Sequence, residues 1–172
     1  MTRFEQAIER HTPDLRRYAR ALLGDHVDAE DLVQECLVRA LGRRGFWQRI
    51  RDPRAYLFTI LHNVHVDRIA GRHRAGVPVP LDHVVMFLSH PAPQPQSLEL
   101  RDMARALACL PVEQREVVLL IGLEGMSYQQ AADTLNVPLG TVMSRLSRGR
   151  DALRRMMEGE ERLPARRTQS IT

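Results

Sequence analysis

Five of the ten prolines in this 172-residue chain fall between residues 78 and 95: Pro78, Pro80, Pro91, Pro93 and Pro95. Proline fixes φ and removes a backbone donor, so no helix or central strand persists through such a stretch. The sequence on either side carries apolar residues at helical spacing. The fold class expected is therefore all-α, two small helical domains joined by a Pro-rich linker over 75–95. At 44% hydrophobic residues the chain can form a real core, although halves of this size bury modest cores on their own. Residues 84–88 form a short apolar patch inside the linker.

The first half, 1–74, reads as three helices. Phe4, Ala7, Ile8, Leu15, Tyr18, Ala19, Leu22 and Leu23 lie near a 3.6-residue period. Pro13 is expected to bend or split that helix, and Gly24 to end it. Asp28 is the expected cap of a second helix, whose buried face carries Leu32, Val33, Cys36, Leu37, Ala40 and Leu41. Gly42 and Gly45 bracket its end. A third helix starts at Pro53 with Asp52 as cap and runs to about Arg72. Its apolar positions Leu57, Ile60, Leu61 and Val64 follow the i, i+3, i+4, i+7 rule.

The second half, 96–157, begins with a short amphipathic helix carrying Leu98, Met103, Ala104, Leu107 and Leu110. Pro111 marks a new start, and residues 117–121 are a dense apolar run that Gly122 and Gly125 are expected to break. The pattern after residue 126 is the most informative in the chain. Ser127 and Gln130 have capping-box spacing. Ala131, Ala132 and Leu135 give a short helix with a small-residue face. Asn136 tolerates the left-handed conformation that ends it. After Val137 and Pro138 a second helix places Val142, Leu146, Gly149, Leu153 and Met156 inward. Its outward face carries Thr141, Met143, Ser144, Ser147, Arg148 and Asp151. Short polar residues near a helix N-terminus enter a major groove without steric conflict, and an arginine reaches guanine edges. Arg145, Arg150, Arg154 and Arg155 add charge for the phosphate backbone. On spacing alone, a plain helical hairpin with a solvated basic face fits the same pattern.

A net charge of +4 suits a polyanionic partner without requiring one. The two cysteines, Cys36 and Cys109, sit among apolar residues with no CxxC pair, as expected of reduced thiols in a cytoplasmic protein. The N-terminus lacks the apolar stretch of a signal peptide, and no run of about 18 apolar residues suggests membrane insertion. His62 and His65 lie three apart, but no partner completes a metal set; they read as surface histidines flanking DNA. Asn63 and Asp67 are i, i+4 neighbours that could interact locally. No phosphate-binding loop, nucleophile elbow or HExxH string occurs. No catalytic residue, metal or cofactor is expected.

Specific strings now bear on function. Residues 125–132 (GMSYQQAA), 140–150 (GTVMSRLSRGR) and 110–116 (LPVEQRE) resemble region 4 of the extracytoplasmic-function (ECF) sigma factors of bacterial RNA polymerase. Residues 28–35 (DAEDLVQE) resemble region 2.2 of the same family, and 55–64 (AYLFTILHNV) with Asp67 and Arg68 resemble regions 2.3 and 2.4. Several core strings resemble the general-stress branch of alphaproteobacteria. The resemblance spans nearly the whole chain except the linker and the tail from 158 to 172, which is expected to be disordered.

The resemblance implies a sigma factor that binds core polymerase, recognises −10 and −35 promoter elements and promotes melting, in a stress or extracytoplasmic response. It implies that Thr141, Met143, Ser144, Ser147 and Arg148 face the −35 element. Met143 stands where the family usually has lysine or arginine. It implies that Trp47, Asn63, Arg68 and Arg72 serve the −10 element, where melting calls for aromatic platforms, a base pocket and a basic track. Phe46, Trp47, Tyr56 and Phe58 cluster there among Arg49, Arg51 and Arg54. Tyr56 and Phe58 read as core, and Trp47 as the solvent-facing member. The resemblance further implies that Asp31, Gln34, Glu35 and Val38, at i, i+3, i+4, i+7 spacing, bind the β′ coiled-coil of the polymerase core. The β flap, promoter DNA and an anti-sigma factor are the other partners it implies. Two other readings stay open at this point: a helix-turn-helix regulator that does not bind core polymerase, and a sigma mimic that sequesters an anti-sigma factor.

Overall fold

The computed structural model describes residues 2–76 and 98–159. The apolar patch at 84–88, most of the linker and nearly all of the tail lie outside the described residues. Everything regular within them is helical. The order is α1 (Arg3–Leu23), α2 (His26–Gly42), a 3-10 segment (Arg44–Arg49), α3 (Pro53–Arg74), α4 (Leu98–Cys109), α5 (Val112–Val118), a π turn (Leu119–Leu123), α6 (Tyr128–Leu135) and α7 (Leu139–Met157).

Helix α1 continues through Pro13 and is not split there. Pro13 is exposed, so its ring disturbs no packing. In the same turn the Thr12 hydroxyl donates to the Ile8 carbonyl at 2.6 Å. Helix α2 starts one turn earlier than expected. Asp25, not Asp28, is its cap: the Asp28 N–H donates to Asp25 Oδ1 at 2.8 Å. Asp28 therefore sits in the first turn, where its charge favours the helix dipole. Helix α3 begins as expected on the Asp52 cap with Pro53 in its first turn. It runs two residues beyond the expected end, to Arg74.

The apolar run after Val117 does not break at Gly122. It continues as a π turn, in which Glu124 N–H reaches back to the Leu119 carbonyl at 3.0 Å. Single π turns insert one extra residue into a helix and re-aim the residues beyond it. The residue re-aimed here is Glu124, whose side chain is wholly buried.

The two halves share one apolar core. Leu15, Tyr18, Leu57, Phe58, Leu61 and Val64 from α1 and α3 belong to the same buried cluster as Val117, Leu120, Ala131 and Val142 from the second half. A smaller cluster of Ala106, Leu110 and Met156 seats α4 on α7. Polar contacts bind the halves as well. Arg17 from α1 grips Glu124 with two bonds, Nε to Oε1 at 3.1 Å and Nη2 to Oε2 at 2.7 Å. Arg54 from α3 donates through Nη2 to Glu124 Oε2 and to the Glu124 carbonyl, at 2.7 and 2.8 Å. His62 Nδ1 lies 2.8 Å from Glu116 Oε1. The buried Arg115 guanidinium donates to the carbonyls of Leu22, Ala108 and Leu110 at 2.7, 2.7 and 2.9 Å. It thereby satisfies acceptors left over where α1 and α4 end.

Candidate nucleic-acid interface

Helices α6 and α7 are built as their sequence suggests. Ser127 and Gln130 form a reciprocal capping box, with N–H to side-chain bonds of 3.1 and 2.9 Å. Asn136 adopts φ 52°, ψ 48° and ends α6. Val142, Leu146, Gly149 and Met156 are buried on one side of α7, and Leu153 is half-buried. Gly149 lets α7 approach α5 closely: a Cβ at this position would stand 2.8 Å from Val118 Cγ2. The opposite face is open. Met143, Ser144, Ser147 and Arg148 are exposed and Thr141 is half-buried. The Ser144 hydroxyl donates to the Thr141 carbonyl at 3.0 Å. Arg148 has no hydrogen-bond or ion-pair partner among the described residues. Small side chains at Gly140, Ser144 and Ser147 form the middle of this face, with Met143 on one flank and Arg148 on the other.

The residues assigned to the −10 element are less uniform. Asn63 and Arg72 are exposed on α3. Arg68 is already engaged: its guanidinium bonds Glu35 Oε2 at 2.9 Å and the Asp31 carbonyl at 3.0 Å. It therefore braces α2 against α3 in this conformation. Trp47 is not the solvent-facing aromatic that its glycine-containing loop suggested. Its ring lies edge-on between Phe4 (4.2 Å) and Tyr56 (5.6 Å). Its indole N–H is buried without a partner among the described residues. Phe58 is fully buried and Tyr56 half-buried, as their reading as core required. The side chain of Phe46 lies outside the described residues.

His62 and His65 are not surface histidines. His65 is buried, and His62 is half-buried against Glu116. Their reading as surface groups flanking DNA does not hold: His65 is buried, and Glu116 of α5 covers His62. Asp67 turns away from Asn63 and pairs with Arg39 of α2 at 2.6 Å.

On α2, Asp31, Gln34 and Val38 are exposed and Glu35 is half-buried, forming one continuous strip. Burial alone would raise the Glu35 carboxyl, but hydrogen bonds from Arg68 and Arg39 outweigh it. They hold it below the ordinary carboxylate range. Burial would likewise raise Glu30, and Arg20 and Arg16 of α1 together outweigh it there. Burial pushes the Cys36 thiol up to about 12, so it is neither a nucleophile nor a ligand near neutral pH. Among the described residues no group of His, Cys, Asp and Glu could hold a metal ion, and no helix is long and apolar enough to cross a membrane.

Sequence reasoning did not find Glu124, Glu116, Arg17, Arg54 or Arg115 as structural partners. Each bonds a residue from the other half or from another helix, and no local spacing signals that.

Comparison with known proteins gives the class of this helical scaffold with a helix-turn-helix at its end: it is a sigma-70-type transcription protein. Residues 8–62 match the family model described as the Sigma2 domain of PhyR, and residues 100–153 match sigma-70, region 4. The chain is 37% identical over 141 residues to the ECF RNA polymerase sigma factor EcfG of Rhodopseudomonas palustris, covering 82% of this chain and 77% of that protein. It is 32% identical over 154 residues to the ECF RNA polymerase sigma factor SigM of Mycobacterium tuberculosis, covering 90% and 76%. Among solved structures, the sigma factor RpoE in complex with the anti-sigma factor NepR from Bartonella quintana superposes with a TM-score of 0.75 at 36% identity, over 92% of this chain and 98% of that one. The anti-anti-sigma factor PhyR from the same organism shares the fold, with a TM-score of 0.57 at 17% identity over 48% of its length. The chain belongs to the ECF RNA polymerase sigma factors.

Proposed function

We propose that this sigma factor binds core RNA polymerase through α2, reads a −35 element with α7 and a −10 element with α3, and promotes melting of the latter. The observation that carries the reading is the open outer face of α7. The other side of the same helix is buried in the shared core, yet Met143, Ser144, Ser147 and Arg148 remain exposed. A helix packed for structure alone has no need of a face of small polar residues flanked by unpaired arginine. In this assignment residues 1–74 form the polymerase- and −10-binding unit, 75–95 the linker and 96–157 the −35-binding unit. Asp31, Gln34, Glu35 and Val38 contact the β′ coiled-coil, and the second unit meets the β flap.

Asn63 is the base-pocket residue for the −10 strand, supported by its exposure on α3. Arg72 tracks the backbone. Arg68 and Trp47 join them only after local rearrangement, because one is bonded to Glu35 and the other is wedged against Phe4. An anti-sigma factor is a further partner, supported by the likeness to RpoE in its complex with NepR. The chain is soluble in this reading and works in the cytoplasm without catalytic chemistry of its own. Identity of 36% to the sigma factor against 17% to PhyR favours a working sigma factor over a mimic.

The test is reconstitution with core polymerase and transcription from genomic templates, with permanganate footprinting of the melted strand. Defined start sites are expected. Asn63→Ala is expected to keep core binding and lose permanganate reactivity. A chain that binds DNA but never joins core would be a separate helix-turn-helix regulator and would end the proposal.

A further inference from the structure

The outer face of α7 carries a feature that charge-based reading of DNA does not use. Met143 is 51% exposed and Leu139, one turn earlier on the same flank, is 41% exposed. They form an apolar strip at the N-terminal end of the helix, where recognition helices meet base edges. The strip lies beside the small residues Gly140, Ser144 and Ser147, which let the helix axis approach a groove floor. A Cβ added at Gly140 would meet nothing within 4 Å. Exposed Arg148 on the other flank, and Arg150 two turns beyond Met143 on its own flank, give this surface charge for a polyanion, and Asp151 further along the face is paired with Arg154 at 3.7 Å. In the major groove the one apolar group that distinguishes bases is the C5-methyl of thymine.

We propose that Met143, backed by Leu139, is a specificity-determining residue that reads thymine methyl groups in the −35 element. This rests on the assignment of α7 to that element. The unbranched thioether chain reaches and adapts to a methyl without needing a hydrogen-bond partner. A thioether also carries no charge to anchor on a guanine or a phosphate, so this flank discriminates by burying a methyl and the Arg148 flank by hydrogen bonding.

The experiment uses holoenzyme reconstituted from core polymerase and the full chain, on a promoter fragment recovered by transcription from genomic templates. Each −35 thymine on either strand is replaced in turn by deoxyuridine, which removes only the C5-methyl. Burial of one methyl corresponds to a loss of about fourfold in affinity. Wild-type holoenzyme is expected to lose about that much at one or two thymines. Met143→Ala should lose a similar factor on thymine DNA and nothing further on the uracil version. Met143 is exposed, so the variant keeps its fold, which circular dichroism checks. Uracil tolerated at every position would overturn the proposal while leaving −35 reading intact. So would uracil and Met143→Ala effects that multiply, because another residue would then touch the methyl. Binding that ignores the whole −35 sequence, in wild type as well, would instead remove the assignment of α7 on which the inference rests.

Discussion

At the scale of single residues, Arg148 on the outer face of α7 and Glu124 in the core are opposite cases, while Arg68 and Trp47 belong to the packing of the first half as well as to the proposed −10 site. Arg148 has no partner to lose among the described residues, so Arg148→Ala should leave the melting temperature unchanged. It should cost about 1–3 kcal/mol of discrimination at one promoter position, measured by competition between promoter variants. Glu124 is the reverse case. Its carboxylate is fully buried and accepts from two arginines, and Glu124→Ala leaves the half-buried Arg54 with only the longer 3.4 Å contact to Asp14. The expected loss is about 3 kcal/mol, read from the urea midpoint. Glu35 and Glu30 set the acid limit. Both carboxyls are held below their ordinary value of 4.5 by arginines. A depressed folded pKa contributes stability that is complete above the unfolded value and is lost as pH falls through the folded one. Stability should therefore decline below about pH 4.5, and a Glu35→Gln variant should show a shallower decline.

At the scale of elements, the caps were legible and the joints were not. Asp52 before Pro53, Ser127 with Gln130, and Asn136 all act locally, between residues close in sequence. Local bonds are what a sequence displays. The outer face of α7 was legible for the same reason, since helical periodicity fixes which residues share it. The start of α2 was misplaced because Asp25 and Asp28 are both good caps, and only backbone geometry chooses between them. Pro13 did not split α1; its ring lies on the exposed side of the helix, while the apolar face of α1 packs from Phe4 to Leu22. His62 was misread because the group that covers it, Glu116, lies 54 positions later. The α5–α7 joint offers a test at this scale. Gly149→Ala gains helix propensity of about 1 kcal/mol but pushes its Cβ into Val118, a stiff β-branched side chain. A small net loss of stability is expected. Shortening Val118 to alanine should make the same glycine change favourable, so a double-mutant cycle should show coupling.

At the scale of the whole molecule, the two halves lie folded onto each other. A compact chain of this length is about 40 Å across. Promoter elements centred about 25 base pairs apart are separated by about 85 Å of B-form duplex at 3.4 Å per step. The folded arrangement is therefore too short to touch both elements at once. The contacts of Glu124 with Arg17 and Arg54, of Glu116 with His62, and of Arg115 with Leu22 must come apart first. Dyes at residues 10 and 150 should move apart when core polymerase is added, as seen by energy transfer between them. An unchanged distance would mean that the halves never separate. A partner that grips the folded form and a partner that needs the extended form are then antagonists without ever competing for a single atom. Each acts by favouring one shape at the expense of the other. Weakening the clasp with Glu124→Gln should shift both at once: tighter association with polymerase and looser hold by any inhibitor that recognises the folded chain.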